Sequence, residues 1–339
     1  MWVVLFHAHE GGHLPGLTAA LPHWLATPVF ECGQSGVAIF FSLSGFVIAH
    51  SLRDSRAGGN ELLTFLGRRC IRLAPPYYVS MAFVVAAGAL SAHVHARALL
   101  LPDGKATVSH LFYLQGLLGH PQISDVYWTL CYEMQFYVSY CLLLGIARWV
   151  HGREQQVLLA AAVVSLPWGL GIGPAAPGWF IDLWYSFLLG VLSYQAATRR
   201  TKWSGFLLFA VPILLSGIVR GDRFAMVAST TSIALGGAMA FHRMGRWLTS
   251  RSIQFIGLVS YSLYLTHNQV SGAGFFLMKK LLGTSPAAEV LALGVVIAAC
   301  LAVSYVMWRF VERPCHVLSR RVGKSWEPVA APVSAAASA

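Results

Sequence analysis

The sequence predicts an all-α, polytopic integral-membrane bundle of about ten transmembrane helices, the first of them cut short. Three observations predict it. Of the 339 residues, 56% are hydrophobic and only 11% are charged, against roughly a quarter charged in an ordinary soluble domain. Apolar runs of membrane-crossing length recur along the chain, and a span needs about 20 such residues. The basic residues are also segregated, with 18 Lys and Arg in one set of alternate connections and 6 in the other.

The first run, 1–9, is short. The second, 33–52, holds Gly36-Val-Ala-Ile-Phe-Phe-Ser-Leu-Ser-Gly-Phe46. The third, 77–92, opens after Pro75-Pro76, and the fourth, 126–147, carries Glu133. A fifth, 155–173, stops at Gly173-Pro174, and 179–198 opens in an aromatic belt that includes Asp182. Runs at 203–219, 224–241, 253–278 and 288–310 complete the set, with Pro286 as punctuation before the last. Residues 1–322 thus read as one membrane domain, and 323–339, rich in Ala, Pro and Ser, as a disordered cytoplasmic tail.

Basic connections stay cytoplasmic, which places both termini inside and explains the net charge of +11 without a nucleic-acid partner. No signal peptide is visible. The six cysteines lack zinc spacing and read as free thiols, and no metal is expected. Oligomeric state is not legible.

Ionisable groups inside spans usually face the bundle interior and mark a functional path. His7, Glu133, Asp182 and His267 qualify, with Asp182 the least suited to catalysis; His9 and His13 read as solvated loop histidines. Thr129, Glu133, Tyr137 and Tyr140 share one helix face, and Ser260, Tyr264, His267 and Ser271 form a second polar stripe. Two such stripes suggest one shared wet cavity, although a stripe of this kind also serves simply to glue helices. Arg68, Arg69 and Arg72 precede the prolines that end their segment. They offer charge-assisted forks to a phosphate, or else simple positive-inside anchoring.

Taken in order, these segments resemble a known family. His7, then Gly36 to Phe46, then Arg68-Arg69-x-x-Arg72-Leu-x-Pro75, Trp128-x-Leu-x-x-Glu133-x-x-Phe-Tyr137, Ser260-Tyr-Ser-Leu-Tyr264-Leu-x-His267 and Glu312-Arg-Pro314 resemble the acyltransferase family 3 membrane proteins, over nearly the whole chain. The resemblance implies a bacterial inner-membrane enzyme that moves an acyl group, acetyl by default, from cytoplasmic acyl-CoA to a hydroxyl of a sugar, glycan or lipid-linked saccharide acceptor. It implies His7 as the base that deprotonates the acceptor, Glu133 as a second catalytic position, and Arg69 and Arg72, with Arg68 beside them, as the phosphate-binding cluster. Ser44, Trp128, Tyr137, Ser260, Tyr264 and His267 are expected to line the cavity.

The family's first helix carries an arginine eleven positions before the histidine. Here that position falls five residues upstream of Met1, and the expectation is a start assigned too far downstream. A rival class, a proton-coupled transporter or exporter, shares the intramembrane His and Glu. It predicts broken helices paired between two halves, and the chain shows no such symmetry.

Overall fold

A computed structural model describes residues 1–53, 59–98, 101–246 and 248–322. The tail expected at 323–339 lies outside the described residues. Among them there is no β-strand, and ten helices have nine or more residues: α1 (Trp2–Glu10), α2 (Gly36–Ser51), α3 (Gly59–Val94), α4 (Trp128–Trp149), α5 (Glu154–Gly169), α6 (Trp184–Ala197), α7 (Trp203–Arg220), α8 (Arg223–Ala240), α9 (Arg251–Leu282) and α10 (Pro286–Met307). They coincide with the ten apolar runs. Five segments are long and apolar enough to cross a membrane by length and composition: His23–Ser51, Asn60–Val94, Trp128–Trp149, Trp203–Arg220 and Pro286–Ser319.

Local chemistry fixes the helix ends. Asp222, Ser250 and Ser285 cap α8, α9 and α10 by accepting from the backbone N–H three residues on. Gly221 closes α7 at φ +68°, a left-handed conformation that costs glycine nothing.

One expected boundary is absent. Pro75 and Pro76 lie inside α3, which runs unbroken for 36 residues, or about 54 Å. A proline inside a helix frees carbonyls, and in a membrane bundle neighbouring side chains satisfy them. Here the freed carbonyls are those of Ile71 and Arg72, and Tyr261 braces the same turn by donating to the adjacent Leu73 carbonyl at 2.8 Å.

Two packing units position the site. In one, α2 lies against α6 through reciprocal glycines. A Cβ on Gly45 would meet the Phe187 carbonyl oxygen at 1.9 Å, and one on Gly190 would meet that of Ser42 at 1.9 Å. Phe187 stacks between Phe41 and Phe136 at centroid distances of 4.3 and 4.2 Å, which ties α4 to the pair. In the other unit α9 runs along α10, and α1 rests on both through Val4, Ala8, Leu263 and Val296.

The connection 101–127 is partly interior. It contains the helix Gly104–Leu111 and buries His110, Tyr113 and Gln115. Tyr77 on α3 bonds His110 Nδ1 at 2.8 Å, and Ile123 N–H donates to His110 Nε2 at 3.2 Å. Tyr113 takes a left-handed backbone at φ +58° to stack on Tyr77 at 4.8 Å.

Candidate active site

The site has three parts along the interior of α9. The first is a chamber of about 440 Å³, lined by His7, Glu10, His13, Asp125, Trp128 and Tyr264 among others. His7 Nδ1 lies 3.2 Å from Glu10 Oε2. The two residues are three apart on α1, so the helix itself brings them onto one face. With Nδ1 engaged, Nε2 is the ring atom left for a ligand.

The His267 ring centre lies 5.3 Å from that of His7. His267 is fully buried. Its Nδ1 lies 3.1 and 2.9 Å from the carbonyl oxygens of Leu263 and Tyr264, which makes Nδ1 the protonated nitrogen and Nε2 a bare acceptor. Among the described residues that Nε2 has no partner. His13 stacks on Phe275 at 4.8 Å, and burial, reinforced by Lys279, holds its imidazole below the ordinary range, so it is neutral at pH 7.

The second part is a smaller, largely apolar chamber of about 190 Å³ between Val37, Phe40, Leu130, Ser260, Tyr261 and Tyr264. Tyr264 borders both chambers. Its hydroxyl lies 2.7 Å from Thr129 Oγ1 and 2.9 Å from the Val126 carbonyl oxygen, so the two polar stripes do meet, at this bond. The Ser260 hydroxyl donates back to the Gly257 carbonyl, which leaves mainly its apolar surface for the chamber.

The third part is a charged cluster. Glu133, 4% exposed, accepts from Ser44 at 2.9 Å and from the Tyr137 hydroxyl. The Arg69 guanidinium sits 5.0 Å from the Tyr137 ring centre and 5.3 Å from that of Phe65, within cation–π range. Arg69 and Arg72 both act on the Glu133 charge. Arg72 also acts on Glu312, whose carboxylate accepts from Ser262 at 2.6 Å. Two carboxylates, each with hydroxyl support, thus lie within electrostatic range of the guanidiniums.

The expected residues therefore sort into groups. His7, Trp128 and Tyr264 come together at the first chamber, His267 lies buried beside His7 without lining it, and Ser260 lines the second. Ser44, Glu133, Tyr137, Arg69 and Arg72 form the charged cluster. Glu133 borders neither chamber, and its Oε1 accepts from two buried hydroxyls. Arg68 points elsewhere and donates to the Val322 carbonyl at 2.9 Å. Asp182 accepts from the Ala176 N–H and holds a turn outside the site.

Sequence reasoning passed over Glu10, Asp125 and the Ser262–Glu312 bond. The helical spacing of Glu10 from His7 was a usable signal. Asp125 lies in a connection with no periodicity to place it.

Comparison with known proteins decides the family. The family model described as an acyltransferase domain, acyltransferase family 3, matches residues 1–309. The chain belongs to this acyltransferase family. The match spans every residue of the two chambers and of the cluster apart from Glu312. Among acyltransferase relatives, the chain is similar to acyltransferase MdmB of Streptomyces mycarofaciens, with 28% identity over 333 residues, 85% of this chain and 82% of the relative. It is also similar to nodulation protein 10 of Rhizobium leguminosarum bv. viciae, with 30% identity over 141 residues, 37% of each chain. No solved structure matches. This acyltransferase is a membrane protein, and its activity is transfer of a non-aminoacyl group.

Proposed function

We propose that this acyltransferase moves an acyl group, acetyl by default, from cytoplasmic acyl-CoA to a hydroxyl of a sugar or glycan acceptor, with His7 as the general base. The observation that carries the reading is the His7–Glu10 pair at the wall of a 440 Å³ chamber. A base whose far nitrogen is held by a carboxylate presents its near nitrogen in a fixed tautomer and direction. Nothing else on the chamber wall has that arrangement.

In this reading the acceptor hydroxyl enters the first chamber and donates to His7 Nε2. Its oxygen attacks the thioester carbonyl carbon as the proton passes to His7. The tetrahedral oxyanion is met by a donor such as the Tyr264 hydroxyl. The C–S bond then breaks, and the coenzyme sulfur leaves with the proton that His7 returns. Buried His267, its ring centre 5.3 Å from that of His7, backs the base from behind the chamber wall.

Arg69 and Arg72 hold the coenzyme's phosphates at the basic side. Glu133 acts as a positioning residue, since it braces Arg69 and Tyr137 instead of touching the reacting atoms. Tyr261 and Tyr264 stand between the arginines and His7, and the coenzyme's flexible arm passes between them into the 190 Å³ chamber. Both termini lie in the cytoplasm in this arrangement, and the enzyme resides in the inner membrane.

The test is transfer of label from acetyl-CoA to glycan or lipid-linked sugar in membranes bearing the enzyme, with His7→Ala and Arg72→Ala for comparison. General-base catalysis contributes about 10²–10⁴-fold, so His7→Ala should lower turnover by that order while coenzyme binding persists. Arg72→Ala should weaken coenzyme binding. Undiminished transfer by His7→Ala at equal protein level would overturn the assignment of the base.

A further inference from the structure

A third cavity, of about 1060 Å³, lies away from this machinery between the ends of α2, α6, α7 and α8. Its deep wall is one stripe of α2: Leu43, Phe46, Val47 and His50, spaced i, i+3, i+4, i+7 as a helix face requires. Such a stripe normally packs on another helix. Here Leu43 and Val47 remain 41% and 37% exposed, with Met239 of α8 across the groove.

The mouth has the opposite character. Arg199, His50 and His242 line it beside Trp203, an aromatic type that favours the headgroup level of a bilayer. The two connections that frame it, 199–202 and 241–251, carry six Lys and Arg residues and no Asp or Glu. An apolar trough whose lining includes Arg199 and no carboxylate, between connections rich in Lys and Arg on the basic side of a membrane protein, is complementary to an amphiphile with an anionic head.

We propose that this groove binds an anionic phospholipid, with its phosphate at Arg199, His50 and His242 and an acyl chain along Leu43, Phe46 and Val47. The volume suits such an occupant, since it exceeds the roughly 300–1,000 Å³ of small-molecule pockets. A separate face of α2 carries the Ser44 that donates to Glu133, so the lipid rests against the helix that helps to order the charged cluster.

Native mass spectrometry of the full chain, exchanged into phosphatidylglycerol or phosphatidylcholine, tests the proposal. One phosphatidylglycerol should persist per chain, and phosphatidylcholine should wash away. A basic group near a headgroup contributes about 1 kcal/mol, so Arg199→Gln should weaken retention about fivefold, and its combination with His50→Gln and His242→Gln further. Leu43→Trp, which fills the apolar end without altering charge, should also expel the lipid, while an unchanged melting temperature shows that all three variants fold. Equal retention of the two lipids, full retention by the three variants, or a second copy of the chain covering the groove would each overturn the proposal.

Discussion

At the scale of single residues, the site depends on which polar atoms are already engaged. Glu10 holds His7 Nδ1, so Glu10→Gln should lower kcat about tenfold with little change in KM, and steady-state kinetics would read that split. Tyr113 and Tyr77 make a matched test of hydroxyl bookkeeping. The Tyr113 hydroxyl is buried without a hydrogen-bond partner among the described residues, so Tyr113→Phe should leave the melting temperature unchanged or raise it. The Tyr77 hydroxyl bonds His110, and Tyr77→Phe should cost about 1–3 kcal/mol by stranding that imidazole. The sequence made the types of these residues visible but not their partners. Thr129 and Tyr264 are 135 positions apart, and only the fold shows that they share a hydrogen bond. Glu133 was legible as an expensive buried carboxylate, yet helical spacing alone could not reveal that Ser44 and Tyr137 both donate to its Oε1.

At the scale of elements, apolar runs located the ten helices of nine or more residues among the described residues, five of which lie in segments long and apolar enough to cross a membrane. Two features escaped them. Pro75-Pro76 punctuates a chain in water, but inside a bundle Tyr261 and the neighbouring helices support the disturbed turn, so α3 continues. The connection 101–127 is held inside by specific bonds to His110 and Gln115 rather than by an apolar stripe, so it left no periodic trace. The close approach of α2 and α6, a pairing that no periodicity revealed, rests on two glycines. Because a Cβ at Gly45 or Gly190 would strike backbone rather than a flexible side chain, Gly45→Ala and Gly190→Ala should each destabilise by about 3 kcal/mol or more. Thermal unfolding in detergent would show the loss, with Gly237→Ala, whose added Cβ meets nothing within 4 Å, as the silent control.

For the whole molecule, the segregation of charge sets a testable orientation. An impermeant thiol reagent applied to intact cells should label Lys105→Cys and Lys280→Cys, and should reach Lys202→Cys and Arg243→Cys only after permeabilisation; the reverse pattern would invert the protein. The long helices also set the depth at which substrates meet. His267 lies 16 residues from Arg251 and 15 from Leu282, so its contact with His7 falls at mid-length of α9. Under the proposed reaction, with donor and acceptor entering from opposite faces, a compartment at that depth would be a weak point in an electrical insulator. The Thr129–Tyr264 hydrogen bond, between the polar chamber and the apolar one, is then the contact that would have to hold the seal between turnovers.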